Sequence, residues 1–104
     1  MRIVEILATF MEMTDAIRAH VEEKVGSLEK FCENYSPCDV RAEVGKTSEH
    51  HQKGKIWRAE IMMTIPGASL RAESIEEDLY AAIDAAKDDL KRQLIDFKEK
   101  RIAR

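Results

Sequence analysis

The segment WRAEIMMTIPGASLRAE, residues 57–73, decides the fold. In its first half apolar residues alternate with polar ones, among them Arg58 and Glu60. After the turn signal Pro66-Gly67, residues 70–73 alternate in the same way. Because alternate side chains of a strand point to opposite faces, the segment predicts two antiparallel strands with one buried and one wet face.

Two further strands are predicted on the N-terminal side. Residues 40–45 alternate between apolar and polar side chains, and the short apolar run at residues 2–9 is rich in β-branched residues. A connector at residues 32–37, closed by Pro37, and a polar loop at residues 47–54 separate these elements.

Two amphipathic helices complete the pattern. The first is predicted over residues 15–31, with Thr14 as N-cap and Gly26 as a weak point. The second is predicted from about residue 75 to residue 101, where Ser74 and Glu77 form a capping-box pattern. Their apolar stripes comprise Ile17, Val21, Val25, Leu28 and Phe31 in the first, and Leu79, Ile83, Ala86, Leu90, Leu94 and Phe97 in the second.

The order β-α-β-β-β-α predicts an α+β fold, a four-stranded sheet with two helices packed on one face. The 104 residues, 44% of them apolar, suffice for one domain spanning residues 1–104. We find no secretory cleavage site and no apolar run of the roughly 18 residues that span a membrane. We therefore expect a cytoplasmic protein that binds no membrane.

Charge is unevenly distributed along the chain. The formal net charge is -3, but residues 1–86 carry 10 Lys/Arg against 16 Asp/Glu, whereas residues 87–104 carry 7 against 4. The C-terminal helix is therefore where a polyanion would bind.

A strip of cationic residues lies beside the apolar stripe of this second helix. Projected at about 100° per residue, Tyr80, Lys87, Lys91 and Lys98 share a narrow sector. The acidic residues fall on the far flank: Asp78, Asp88, Asp89, Asp96 and Glu99. This spacing suits the phosphates of a nucleic-acid backbone. Ordinary solubility, with i,i+4 pairs such as Asp88 with Arg92, explains it equally well.

On the first helix, Lys24 projects onto the apolar side. It is either a snorkelling side chain or part of a basic rim with Arg18, Lys30 and His20 that joins the lysine strip.

The tripeptide Arg-Ala-Glu occurs three times, at residues 41–43, 58–60 and 71–73. Alternation turns each Ala inward, so antiparallel neighbours can set opposite charges across from each other. We interpret this as a solvated charge ladder; the alternative is a protein-interaction module that uses this charged sheet face.

Catalytic patterns are scarce. His50-His51 could bind a metal, but adjacent histidines in a polar loop without a supporting ligand favour solvent exposure. Cys32 and Cys38 match neither a thioredoxin-type nor a zinc-ribbon spacing, which favours free thiols over a lone disulfide or redox role. We expect no enzyme activity, cofactor, metal or small-molecule substrate.

Several motifs resemble the ribosome hibernation-promoting factor and ribosome-associated inhibitor A family. They are MTDAIRAHVEEK at residues 13–24, LEKF at 28–31, DLYAAID at 78–84 and LKRQL at 90–94. With the element order, the resemblance covers nearly the whole chain.

The resemblance implies a double-stranded-RNA-binding-like fold that lodges between head and body of the small ribosomal subunit. There it would contact ribosomal RNA, cover the sites of messenger and transfer RNA, and silence translation in stationary phase or stress. It also implies that Arg18, Lys24, Lys30 and Arg92 contact RNA, and it marks Tyr80 as a motif position. We expect a monomer away from the ribosome.

Two departures from the family stand out. Asp89 replaces a lysine of relatives, and Arg92 projects among acids. The chain stops soon after the second helix, so it resembles the short hibernation-promoting type or the N-terminal part of a long form.

Overall fold

The computed structural model describes residues 1–48, 50 and 53–102. Four strands and two helices form in the predicted order. Their bounds are β1 Arg2–Thr9, α1 Asp15–Gly26, β2 Asp39–Lys46, β3 Trp57–Ile65, β4 Ala68–Glu76 and α2 Leu79–Ile102. The α+β class is thereby confirmed, and the predicted loop at residues 47–54 falls partly outside the described residues.

The sheet is mixed, with strand order β1-β2-β3-β4. β1 pairs parallel with β2, and the two following pairings are antiparallel. The inward side chains of β3, including Ile61 and Met63, are buried beneath the helices together with Val25 of α1 and Leu90 of α2. The opposite face carries the charged residues of the Arg-Ala-Glu repeats. No helix in the described part of the chain is long and apolar enough to cross a membrane.

The first helix is shorter than predicted. α1 ends at Gly26, where the N–H of Ser27 donates to the carbonyl of Glu23 at 3.1 Å. A separate 3-10 turn, Glu29–Phe31, follows. Leu28 is still fully buried, because the turn continues the apolar face after the helix has ended. The predicted N-cap is confirmed, since the Thr14 hydroxyl accepts from the N–H of Ile17 at 3.1 Å.

The predicted capping box at the start of the second helix is wrong. Ser74 belongs to β4, which extends to Glu76 because Glu76 pairs with Trp57. α2 begins only at Leu79, and the carboxylate of Asp78 accepts from the N–H of Ala81 at 3.0 Å. Strand pairing thus outweighed a local capping signal, and an aspartate four residues later caps the helix.

Candidate RNA-binding surface

The two helices contact each other through a polar cluster. His20 Nε2 of α1 lies 2.8 Å from Asp84 Oδ1 of α2, and Lys24 Nζ lies 3.9 Å from the same oxygen. The rings of His20 and Tyr80 meet edge to face, with centroids 4.7 Å apart. Tyr80 therefore lies between the helices as a packing partner of His20, and Lys24 lies on the rim next to α2.

A second carboxylate lies among the lysines. Asp88 Oδ1 is 2.6 Å from Lys87 Nζ. The hydrogen bond from Lys87 lowers the pKa of Asp88; burial opposes it, and the charges of Lys87, Lys91 and Lys24 add to the lowering. The sequence projection placed Asp88 on the far flank of α2. Asp88 is 68% exposed there, and the long side chain of Lys87 brings its ammonium to this carboxylate.

Phe31 contacts two further lysines. The ammonium of Lys30 lies 5.3 Å from the centre of the Phe31 ring, and that of Lys91 lies 5.0 Å from it. Both distances are within the range of cation–π attraction. The 3-10 turn and α2 thus meet at an aromatic ring that has a lysine from each element.

We call the resulting patch the lysine surface and define it as Lys24, Lys30, Lys87 and Lys91 with Phe31. Lys98 lies two helical turns beyond Lys91, is exposed, and has no carboxylate within 4.0 Å among the described residues. It extends the same strip toward the end of α2.

Two arginines implied by the family resemblance lie outside the lysine surface. Arg18 faces the free edge of β1, where with Glu22 it lines a shallow groove over Ile3 and Val4. Arg92 pairs with Asp89 on the exposed side of α2 and is 72% exposed. The structure brings the lysines together, but not Arg18.

On the other face of the sheet, Arg58 and Arg71 are held in ion pairs. Glu43, Glu60 and Glu73 stand directly opposite one another on β2, β3 and β4. Arg58 reaches diagonally to Glu43 at 2.9 Å and Glu73 at 2.6 Å, and Arg71 pairs with Glu60. The prediction of opposite charges directly across the strands is therefore wrong. Glutamates stand opposite glutamates, and the arginines reach the glutamates of neighbouring strands diagonally.

The guanidinium of Arg58 is the centre of this network. Burial disfavours its charged form, but hydrogen bonds to Glu73 and Glu43 outweigh burial and raise its pKa. A cation held by several carboxylates is poorly available to an external phosphate. Among the described residues, Lys30, Lys91 and Lys98 on the helical side have no carboxylate within 4.0 Å, whereas Arg58 and Arg71 on the sheet side are compensated by glutamates.

Other candidate chemistry is weak in the described residues. They contain no cluster of three metal-ligating side chains. His51 of the His50-His51 pair lies outside them. Cys32 and Cys38 are buried free thiols, and burial, followed by the hydrogen bond with Cys32, raises the pKa of Cys38 to about 12. A thiol with so high a pKa is a poor nucleophile at neutral pH.

The mixed sheet with two helices on one face defines a known class of small α+β domain. The N-terminal domain of Protein Y from Thermus thermophilus matches with a TM-score of 0.75 and 34% identity, over 93% of this chain and 99% of that one. A ribosomal subunit interface protein from Coxiella burnetii shares the fold with a TM-score of 0.77 at 17% identity, over 95% and 99% of the two chains.

The family follows from the sequence match. A family model described as Sigma 54 modulation protein / S30EA ribosomal protein matches residues 4–102, and the chain belongs to this family. The ribosome hibernation promoting factor of Azotobacter vinelandii is 37% identical, over 97% of this chain and 87% of its own length. The ribosome hibernation promotion factor of Deinococcus radiodurans is 33% identical over 94% of this chain. The predicted family resemblance is confirmed.

The chain does not match all these relatives over their full length. It spans 50% of the Deinococcus radiodurans protein, and 45% of the corresponding factor from Lactococcus lactis.

Proposed function

We propose that this chain is a ribosome-associated hibernation factor that acts by occlusion, without chemistry. Its single domain binds ribosomal RNA of the small subunit through the lysine surface and Lys98. Once bound, it covers the sites of messenger RNA and of transfer RNA anticodons, so that translation stops and the ribosome is stored.

Family membership and the names of the relatives support ribosome association. The observation that carries the RNA contact is the convergence of Lys24, Lys30 and Lys91 from three separate elements onto one side of the molecule. Each phosphate that such a lysine neutralises releases counterions, so binding should weaken steeply with salt.

The distribution of charge supports the same orientation. The overall charge of -3 opposes non-specific attraction to RNA. Arg58 and Arg71 are engaged by glutamates on the sheet face, so that face offers few cations to phosphate. Binding by the helical side is therefore the arrangement that places Lys30 and Lys91, which have no carboxylate within 4.0 Å among the described residues, near RNA.

The test is co-sedimentation with purified small ribosomal subunits at two salt concentrations. Charge reversal of Lys87, Lys91 and Lys98 to Glu should abolish binding while urea unfolding still shows a cooperative folded domain. The matched control reverses Arg41, Lys53 and Lys55, which are exposed and give the same change of net charge. Wild-type affinity in the first variant would contradict the assignment of these lysines; equal losses in both would mean that binding follows net charge alone.

Occlusion itself needs a competition experiment. Initiator transfer RNA and this protein should exclude each other from the same small subunit. Simultaneous binding of both would contradict occlusion even if the lysines proved essential.

A second candidate function uses the sheet face as a protein-interaction surface. Leu7 is 47% exposed and Met62 is 45% exposed on this face, beside the Arg/Glu network. If this face binds a protein, the partner should stay bound after nuclease treatment. Replacement of Leu7 and Met62 by Ser should then release it. Unchanged partner binding would eliminate this candidate.

A further inference from the structure

We infer that Phe31 is a positioning residue for RNA binding: its ring holds the ammonium groups of Lys30 and Lys91 in place for neighbouring phosphates of one RNA strand. This inference rests on the proposed function and concerns the same surface.

The lysines of this surface are held in two different ways. Lys24 and Lys87 lie beside the carboxylates of Asp84 and Asp88, each of which cancels part of a positive charge. Lys30 and Lys91 have no carboxylate within 4.0 Å among the described residues and instead lie over the ring. Because an aromatic ring has no net charge, it attracts a cation and leaves its full charge available to a phosphate.

The ring is itself fixed in position. Phe31 is half-buried and packs against the hydrophobic core at the end of the 3-10 turn. Lysine side chains lose considerable rotamer freedom when they are immobilised on binding. A fixed ring that already restricts two of them lowers this entropic cost, which is the general advantage of a preorganised site.

The geometry leaves the ammonium groups able to bind. An ammonium has three N–H donors, and contact with a ring on one side leaves donors on the other. Lys30 comes from the turn and Lys91 from α2, so the ring also fixes the relative positions of cations from two elements.

The test measures affinity for purified small ribosomal subunits over a range of salt concentrations. Phe31→Leu keeps an apolar side chain and removes the ring, and we expect about threefold to tenfold weaker binding. The salt dependence should change little, because both charges remain. Phe31→Tyr and Phe31→Trp should restore wild-type affinity. Urea unfolding of each variant identifies any loss of stability.

The same substitution is then made in a Lys30→Gln/Lys91→Gln background. If the ring acts through the two lysines, Phe31→Leu should cause no further loss of affinity in this background. An equal loss in both backgrounds would overturn the inference, because the ring would then contact RNA directly or only support the fold. Phe10→Leu, which removes an exposed ring outside the lysine surface, is the matched control.

Failure of the inference and failure of the proposed function give different results. Failure of the wild-type chain to co-sediment with small ribosomal subunits would overturn the proposed function and with it the inference. Wild-type affinity of Lys30→Gln/Lys91→Gln would overturn the inference and the assignment of these two lysines, but not ribosome binding itself. Weak binding by that variant with wild-type affinity of Phe31→Leu would overturn only the role of Phe31.

Discussion

His20 Nε2 lies 2.8 Å from Asp84 Oδ1, in the contact between α1 and α2. The same oxygen is 3.9 Å from Lys24 Nζ. One carboxylate thus joins the two helices and also holds a lysine of the candidate RNA surface. A substitution of Asp84 that removes only its charge and one that also removes its hydrogen bond should therefore differ in their effect on stability.

Replacement of Asp84 by Ala should lower the free energy of unfolding by about 0.5–1 kcal/mol, because a partly exposed hydrogen bond and ion pair are lost. Asp84→Asn should cost less, since the amide can still hydrogen-bond His20. Urea unfolding measures both. The control is Asp96→Ala on exposed α2 surface, where we expect a change within about 0.5 kcal/mol. Equal losses for Asp84→Ala and Asp84→Asn would show that the charge, and not the hydrogen bond, joins the helices.

Arg58 should be the most sensitive charged residue of the sheet. Its replacement by Met leaves Glu43, Glu60 and Glu73 in register without their shared cation, and like charges across strands destabilise a sheet. We expect a loss of about 1–3 kcal/mol in urea unfolding. Arg41→Met, at an exposed arginine of the same face, is the matched control. Similar small losses for both variants would mean that the network contributes no more than isolated surface pairs do.

The elements and the core could be predicted from the sequence, because alternation in the strands and the 3.6-residue period in the helices are local patterns. The positions where helices begin or end were harder. Gly26 and Ser27 end α1 before its apolar stripe ends, and pairing of Glu76 with Trp57 extends β4 through the apparent capping box. At each of these helix ends, two local sequence patterns favour different bounds, and contacts made in the folded protein decide between them.

The lysine surface was predicted only in part. Projection placed Lys87 and Lys91 in one strip and offered a rim with Lys24 and Lys30 that joins it, but it could not show which other side chains contact these lysines. Phe31 was predicted as part of an apolar stripe and of the LEKF motif, and Asp84 as part of another motif, but neither was predicted to contact these lysines. Both roles depend on contact between elements that are distant in sequence.

Gly45 should tolerate no side chain. A Cβ built there would lie 1.9 Å from the carbonyl oxygen of Thr9, the residue it pairs with on β1. Because both groups belong to the backbone, relief requires separation of β1 from β2, and Gly45→Ala should destabilise the protein by about 2–4 kcal/mol. Gly26→Ala is the contrasting control, since its Cβ meets nothing within 4 Å. It should be neutral or stabilise by up to about 1 kcal/mol. If thermal unfolding showed Gly26→Ala to be less stable than Gly45→Ala, this account of the β1–β2 pairing would be contradicted.

Asp88→Asn should strengthen RNA binding and weaken folding slightly. The carboxylate of Asp88 lies beside Lys87 and close to Lys24 and Lys91, so its removal leaves more positive charge on the lysine surface. We expect about twofold to fivefold tighter binding to small ribosomal subunits at low salt, and a smaller gain at high salt because of screening. Asp96→Asn, on the same helix but away from the lysines, should change affinity much less.

The effect of Asp88 on stability should depend on pH in a defined direction. Lys87 lowers the pKa of Asp88 in the folded state, so the ionised form stabilises the fold above the usual pKa of 3.8. This stabilisation is lost as the pH falls through the lowered pKa. Because the side chain is 68% exposed, it amounts to only about a few tenths of a kcal/mol. The stability difference between wild type and Asp88→Asn should therefore be small near pH 7 and vanish in acid. A difference that grew as the pH fell would mean that Lys87 does not stabilise the ionised carboxylate, and the expected gain in RNA affinity would lose its basis.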